Sequence, residues 1–452
     1  MVLISFFKSL PKPVYISQLF VLILLFHVNV SRAESPSFSL VDAYQLAQHN
    51  DSTASIFRSE VDAQQERSRQ SLAGLLPNLS LRAYGDTRKQ DVTQPGFLPY
   101  NSDFNSSDLS ATVSQPLYRP VELANYRLSK VQSAIAKAQY ELTEQDIMYR
   151  VAVAYFDVLI AQETLATIKS QSTVITQLYA QAESLYKNGQ VWVTDVDEAR
   201  ASYDLAHIQT IRAKSDLEIK KQVLRKYTGR LPARLAVFLG EENLIPLVPE
   251  ELSEWEKLAL ENSPHIILAK LELESADEII NVAHSGHYPT VDLIARYAQL
   301  TGDLDNETTD IAVGVLLEIP LYSGGVHSAG VREAKASRNK SRYSLHDITE
   351  QVLMNVRQSY LLVSNNRLLV QVTKQSFESS QAVLESSHLG VKNQIRNSLD
   401  VLNAQLAVFD SQREMVSAAY EFLKSMLGLK IAAGTLTLSD LRVMDRVLVA
   451  NR

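Results

Sequence analysis

Few residues in this chain have the types and spacing that catalysis or metal binding requires. His284 and His287 form a His-x-x-His pair, but they precede Pro289 in a predicted helix-to-strand connection, with no third obvious ligand nearby. No phosphate-binding glycine loop, zinc-protease helix motif or nucleophile elbow occurs. The sequence therefore predicts a protein that is not an enzyme and that has no metal site and no cofactor.

Composition limits the cellular compartments and the classes of partner that are compatible with this chain. The chain has 452 residues, a formal net charge of -7 and no cysteine. Residues 1–33 contain Lys8 and Lys12, then an apolar core, then Ser31 and Ala33, which is the layout of a cleavable secretory signal. The alternative, a retained membrane anchor, is disfavoured because the apolar core is shorter than the roughly 20 residues of a spanning helix. An acidic exported chain without a basic run predicts no nucleic-acid partner.

The sequence is duplicated. The tripeptide Pro-Leu-Tyr begins at Pro116 and again at Pro320, and Asp195 and Asp400 follow at almost the same distance in the two copies. Further pairs lie upstream of each tripeptide: Leu46, Ala47 and Asn50 recur as Leu258, Ala259 and Asn262, and Pro77 with Leu79 recurs as Pro289 with Val291. A tandem duplication indicates two copies of one structural unit.

Each copy contains one predicted β-hairpin. Apolar and polar residues alternate near 79–85 and 109–117, around a polar segment from Asp86 to Asp108, and again near 291–298 and 310–319. Strands of this length with one apolar face are suited to a tilted bilayer crossing. Four strands cannot close a barrel, since even small membrane barrels need about 8, so a membrane barrel would have to be shared between chains. Two ordinary hairpins on a soluble core remain the alternative.

Very long helices follow each hairpin. Glu122 to Lys187 contains neither glycine nor proline, and a continuous helix of that length would extend about 100 Å. Heptad spacing of apolar residues predicts coiled-coil packing; the clearest series is Ala124, Leu128, Val131, Ile135, Ala138 and Leu142.

These elements divide the chain into a signal peptide and two repeats. The signal is 1–33, the first repeat is 34–250 with long helices within 121–228, and the second repeat is 251–430 with long helices within 326–427. Residues 431–452 lack strong periodicity and are expected to form a C-terminal tail or equatorial segment packed around the long helices.

On these features the mature chain resembles the TolC family of outer-membrane efflux and secretion proteins. The resemblance rests on the duplication, on Pro116 and Pro320, on the segment 286–290, and on the turn segments 189–199 and 398–404. It implies a mainly α fold with a membrane β-barrel portion: a homotrimer with a 12-stranded outer-membrane β-barrel, continued across the periplasm by an α-helical coiled-coil barrel.

The resemblance also implies a function and partners. The expected role is a passive exit duct that carries drugs or secreted polypeptides out of a Gram-negative cell. Its expected partners are outer-membrane lipid, a periplasmic adaptor, and an inner-membrane transporter of the RND, ABC or MFS type. A periplasmic coiled-coil adaptor or scaffold is the main alternative, because it would share the signal peptide and the heptads.

The resemblance places a pore constriction at the periplasmic turns of the helices. The matching residues are Thr194, Asp195, Arg396, Asp400 and Asn403. On sequence alone, helix capping by Thr194 or Asp195 is the alternative to a gating latch. Tyr186 and Gly189 of the first turn are replaced by Val391 and Gln394 in the second, so the second turn is expected to close differently. Asn403 replaces an acidic residue of some family members, which predicts weaker cation binding at the pore entrance.

Overall fold

The computed structural model describes residues 38–93, 95–96, 98, 100–230, 237–238, 246–301, 307–393, 395–396 and 398–449. The predicted signal peptide, Gln394 and part of the turn between 302 and 310 lie outside these residues. Within them the chain forms, in order, α1 (Leu40–Asn50), α2 (Ser52–Ala73), β1 (Asn78–Val92), β2 (Tyr100–Tyr118), α3 (Pro120–Lys187), α4 (Val193–Thr228), β3 (Val237–Phe238), α5 (Leu252–Asn262), α6 (Pro264–Ser285), β4 (Thr290–Thr301), β5 (Glu307–Glu318), α7 (Val326–Lys392), α8 (Ser398–Ala432), α9 (Leu438–Val447) and β6 (Leu448–Val449).

The duplication is visible in the helix lengths. Helices α1 and α5 both have 11 residues, and α2 and α6 both have 22. Helix α3 has 68 residues against 67 in α7, and α4 has 36 against 35 in α8. Because α3 and α7 have no internal proline, nothing in their sequence forces a break in the backbone hydrogen bonding.

The long helices form one layer that is four helices wide. Toward the strands, its order is α2, α3, α6 and α7; toward the far turns, it is α4, α3, α8 and α7. Cross-contacts hold each half: Gln64 Nε2 donates to Gln132 Oε1 at 3.2 Å between α2 and α3, and the rings of Tyr179 and Tyr203 stack between α3 and α4, 5.5 Å apart. Helices α3 and α7 therefore run the full length, whereas the other two positions are each filled by two shorter helices.

Four antiparallel strands form a sheet in the order β1-β2-β4-β5. Leu81 pairs with Ala111, Ala111 with Tyr297, and Tyr297 with Ile311, so these four side chains share one face. The next row on that face is Leu79, Val113, Ala295 and Val313. The opposite face carries polar residues, including Arg296 and Asp108, which form an ion pair at 3.2 Å. The sheet therefore has one apolar face and one polar face, and β1 and β5 are its edge strands.

The first hairpin is longer than the alternation of apolar residues indicated. The polar segment after Asp86 continues as strand, with Asp86 opposite Ser106 and Arg88 opposite Phe104. The ladder is made by backbone groups, and it can continue past the apolar residues where the side chains are polar on both faces. Apolar alternation therefore marked the face of the sheet and not the ends of the strands.

A hydrophobic core lies at mid-height, where the short helices α1, α5 and α9 pack against the long ones. Its largest buried side chains are at most 2% exposed; they include Trp255, Tyr155, Tyr420, Phe156 and Phe422. An 18-residue window in α3 is apolar enough to cross a membrane, but 61% of it is buried inside the protein, so α3 is a core helix.

The C-terminal segment is more regular than its sequence indicated. Helix α8 reaches Ala432, and α9 buries Leu441 and Met444 on one face. The carboxylate of Asp445 accepts hydrogen bonds from the backbone N–H groups of Leu40 at 2.7 Å and Val41 at 3.0 Å. The short helix was missed because its apolar stripe spans only about three turns. It holds the N-terminus of α1, where free N–H groups need acceptors.

Equivalent glycines end α4 and α8 against the short helices. Gly229 and Gly434 both have positive φ, +73° and +68°. A Cβ on Gly434 would lie 2.6 Å from the carbonyl oxygen of Asn262, and a Cβ on Gly229 would collide with the side-chain amide of Asn50. The recurrence of Asn50 as Asn262 therefore marks the same junction in both repeats.

Replacing Gly434 by alanine should lower the free energy of unfolding by about 1–3 kcal/mol, because it combines a left-handed backbone with a collision against backbone atoms. Gly428→Ala, inside α8, is the matched control, since its Cβ would meet only the Tyr149 side chain, with Oη at 3.6 Å and Cε2 at 3.9 Å. Helix propensity should make that change neutral or stabilising by up to about 1 kcal/mol. Denaturant unfolding of both variants tests this, and equal effects would contradict the role given to Gly434.

Burial raises the pKa of Asp445 above its ordinary value of 3.8, and the nearby Asp42 also raises it, while the hydrogen bonds to α1 oppose the shift. The folded state therefore binds the proton more tightly than the unfolded state. As pH rises from 3.8 through the raised pKa, the contribution of this group to the free energy of unfolding should fall. Unfolding temperatures of the native protein and Asp445→Asn, compared from about pH 3 to 7, should diverge in that window. Parallel profiles would contradict the assignment.

Candidate functional site: the turns between the long helices

The first turn, between α3 and α4, is closed by a left-handed glycine. Gly189 has φ +72°, its N–H donates to Tyr186 O at 2.9 Å, and the N–H of Gln190 donates to Leu185 O at 2.9 Å. These bonds satisfy the last carbonyls of α3, and open space surrounds the Gly189 Cβ position. The turn is compact, and side chains beside it remain available for contacts outside the chain.

Asp195 caps the helix that leaves this turn. Helix α4 begins at Val193, and the Asp195 carboxylate accepts a hydrogen bond from the backbone N–H of Trp192 at 3.0 Å. The capping contact therefore comes from the third helical residue, and a carboxylate there also interacts favourably with the helix dipole. Thr194 is exposed beside it.

The second turn, between α7 and α8, uses the equivalent bond and adds another. Ile395 N–H donates to Gly390 O at 2.8 Å, in the position of the bond from Gln190 to Leu185, and Arg396 N–H reaches the same oxygen at 3.2 Å. Val391 lies partly buried beside the turn. The expected difference at Gln394 falls outside the described residues.

Arg396 folds back over the end of α7. Its Nη1 donates to the hydroxyl of Ser387 at 2.6 Å, and Ser387 is fully buried. A Cβ on Gly390 would lie only 3.0 Å from Arg396 Cγ, so the glycine leaves room for the arginine stem. Sequence reasoning missed Ser387; its only signal is the spacing of Ser387 and Gly390 one turn apart on the face that Arg396 covers.

The two residues of the predicted latch have other partners within the chain, since Asp195 accepts from Trp192 and Arg396 donates to Ser387. Both Asp195 and Arg396 are described, and neither a hydrogen bond nor an ion pair joins them. Asp400 lies partly buried in the first turn of α8, and Asn403 is exposed one turn further along. A latch between Asp195 and Arg396 would therefore need a second chain.

An apolar cavity of about 410 Å³ lies between the two helix pairs near these turns. Its walls come from Val174 and Leu178 of α3, His388 and Val391 of α7, and Leu402 of α8. Large apolar side chains are also exposed at the turns themselves, led by Trp192 at 81% and Ile395 at 79%. Large exposed apolar side chains at both turns make this end of the layer a candidate interaction site.

The edges of the helical layer are apolar and uncovered. Leu205, Ile211 and Ile219 of α4 are 54–61% exposed, as are Leu361 and Leu368 of α7 at 58% and 60%. Helices α4 and α7 lie at opposite edges of the layer, as β1 and β5 do in the sheet. Both halves of the molecule therefore lack neighbours on both sides.

The histidines lie away from the turns, where α6 leads into β4. The ring centroids of His287 and His327 are 5.4 Å apart. In the part of the chain that the structure describes, no group of three or more His, Cys, Asp or Glu side chains is placed to hold a metal ion.

Comparison with known proteins connects this geometry to a family. The model of the outer membrane efflux protein family matches residues 43–230 and 255–435, one segment in each repeat. The protease secretion protein PrtF of Dickeya chrysanthemi is 26% identical over 425 residues, covering 92% of each chain. The outer membrane protein TolC of Escherichia coli strain K12 is 27% identical over 436 residues, covering 93% of this chain and 86% of TolC.

Solved structures give the same result for the fold. The CmeC outer membrane channel of Campylobacter jejuni has a TM-score of 0.77 at 17% identity, covering 90% of this chain and 89% of CmeC. The open MtrE outer membrane channel of Neisseria gonorrhoeae has a TM-score of 0.72 at 17% identity, with 88% and 91% covered. The resemblance inferred from the sequence is confirmed, as is the mainly α fold with a β-barrel portion. The chain belongs to the outer membrane efflux protein family.

Proposed function

We propose that three copies of this chain form a passive duct from the periplasm through the outer membrane. One observation carries the proposal. The four-stranded sheet and the helices form a single continuous layer, whose sheet has one apolar face and whose two edges are both open. A duct needs no catalytic group, and the family and its structural relatives are transport channels and not enzymes.

The sheet supports a barrel made by several chains. Its apolar face spans all four strands, and exposed residues on it include Leu79 at 72%, Leu81 at 74%, Ile311 at 74% and Val313 at 73%. Lipid can cover this face, but lipid cannot satisfy the backbone N–H and C=O groups along β1 and β5. Pairing β5 of one copy with β1 of the next removes every open edge, and three copies give 12 strands, within the known range of membrane barrels.

The helices support the same assembly. Apolar residues exposed along α4 and α7 would face each other when β1 and β5 of adjacent copies meet, because each helix lies at the matching edge of the layer. Burial of such residues is worth about 25 cal/mol per Å² of apolar surface. Closing the sheet and closing the helical layer therefore require the same arrangement of chains.

The far end of the helical layer is the proposed docking region. The 410 Å³ cavity, Trp192 and Ile395 all lie there, and the resemblance implies a periplasmic adaptor that links the duct to an inner-membrane RND, ABC or MFS transporter. The names of the relatives include secretion of proteases and resistance to cobalt, zinc and cadmium. We assign the present chain to the class of exit ducts that such systems share.

The turns are the proposed constriction. Three copies would bring six turns together, each first turn with Thr194 and Asp195 and each second turn with Arg396, Asp400 and Asn403. The hydroxyl of Ser387 and a carboxylate of a neighbouring chain are then competing partners for Arg396. A carboxylate is the stronger partner, since it carries a charge opposite to that of the guanidinium and can accept two parallel hydrogen bonds from it, which a single hydroxyl cannot.

A charge on the apolar sheet face should prevent membrane insertion. Val313→Lys should cost about 2–4 kcal/mol near the bilayer midplane. Gly314→Lys is the matched control, since this neighbour faces the opposite side of the sheet and no atom lies within 4 Å of its Cβ position. Planar-bilayer conductance and heat-modifiable migration of the oligomer should survive in Gly314→Lys and be lost in Val313→Lys. A native protein that is water-soluble, monomeric and non-conducting would refute the duct.

Asp195→Asn separates the capping role of Asp195 from a latch. Asparagine keeps an acceptor for the Trp192 N–H but removes the charge, so α4 should remain stable while the closed pore loosens and single-channel conductance rises. Asp197→Asn, two residues along α4 and exposed, makes the same charge change and should leave conductance unaltered. If both variants conduct as the native protein does, Asp195 is only a cap.

A further inference from the structure

A second cavity, of about 560 Å³, lies where the strands end and the helices begin. Its walls come from the segment after α2, the end of β2, the first turns of α3, and the last turns of α6 with the segment that follows it. On α3, Leu123 and Arg127 line it one turn apart. On α6, Asn281 and His284 line it, and Tyr288 lines it from the connection between α6 and β4. It is separate from the turns at the far end of α3.

The cavity opens on the apolar face of the sheet. The register of β2 shifts between Pro116 and Tyr118, and Tyr118 is then paired with Val291, which is itself opposite Leu317. Tyr118 therefore lies on the apolar face, and it lines the cavity. Leu75, another lining residue, accepts a hydrogen bond at 3.2 Å from Gln115, which pairs with Leu293 on that same face. The cavity is thus directly below the surface that faces lipid.

Two arginines line the cavity, and they differ in their ion pairing. Arg119 is held by Asp292 through two bonds of 2.8 and 2.9 Å, so its charge is neutralised. Arg127 is exposed and forms no ion pair with any residue that the structure describes. Asn281 donates to Glu278 at 3.1 Å but keeps a second N–H, and His284 and Tyr288 are exposed beside it as further donors.

We propose that this cavity binds the phosphate-bearing head group of a phospholipid from the periplasmic leaflet of the outer membrane. Arg127 makes the charged contact with the phosphate, and Asn281, His284 and Tyr288 supply neutral hydrogen bonds. Leu75, Leu117 and Leu123 line the path toward the apolar strands, where the acyl chains lie. This apolar path selects a lipid over free phosphate. The inference depends on the proposed membrane insertion of the sheet but not on the number of chains.

Native mass spectrometry of the delipidated protein in detergent, titrated with dihexanoyl phosphatidylglycerol, tests the site. The expected result is one bound lipid per chain, with affinity reduced about tenfold or more in Arg127→Ala, since a hydrogen bond to a charged group is worth about 1.5–3 kcal/mol. Lys137→Ala should bind as the native protein does. Lys137 lies ten residues further along α3, about 15 Å from Arg127, and is 72% exposed. Arg127→Lys should retain part of the affinity.

Two outcomes would overturn the site. Equal lipid binding by the native protein and Arg127→Ala would remove Arg127 from it. Competition by inorganic phosphate at concentrations equal to those of the lipid would assign a free-anion site instead. Tyr288→Phe removes one donor and serves if Arg127→Ala does not fold, with about a two- to tenfold loss expected. Because binding is counted per chain, the two proposals fail in different ways. The duct proposal fails if the protein does not conduct, and the lipid-site proposal fails if Arg127→Ala binds the lipid as tightly as the native protein.

Discussion

Hydrocarbon cannot hydrogen-bond to a peptide group, and this constraint governs the whole chain. A sheet with an apolar face and two unpaired edges is unstable as a single copy in a membrane. The edges of the sheet continue into the edges of the helical layer, because each strand joins a helix of the same position: β1 follows α2, β2 leads into α3, β4 follows α6 and β5 leads into α7. Closing the sheet therefore also determines which helices meet.

The duplication supplies the layer with two equal halves, and the short helices join them. Helices α1 and α5 end where α4 and α8 end, each junction with a left-handed glycine packed against an asparagine. The aromatic core around Tyr155 and Tyr420 lies at the same height. Asp157 of α3 strengthens this level, since it is bridged by Lys220 of α4 at 3.1 Å and Lys424 of α8 at 3.0 Å. The largest buried side chains of the chain are thus concentrated at mid-height, whereas large exposed apolar side chains lie on the sheet and at the far turns.

Sequence reasoning was most successful where the pattern was local and long. The two hairpins, the long helices and the duplication follow from alternation, heptads and the absence of proline. The polar extension of β1 and β2 did not, because backbone pairing carries it without an apolar signal. The contact between Arg396 and Ser387 also went unseen, since it depends on how the chain returns after α7. The cavity at the start of α3 also went unseen, because Tyr118 is placed beside it by a register shift after Pro116 that periodicity does not reveal.

The alternation of continuous and divided helices has a mechanical consequence. Helices α3 and α7 cross mid-height without interruption, whereas α2 gives way to α4 and α6 to α8 at that level. Each junction between two shorter helices is therefore flanked by a continuous helix. Such a layer resists bending at these junctions, yet the shorter helices on the two sides of a junction can rotate separately. The half of the layer near the far turns can then twist while the half that continues into the sheet stays in place.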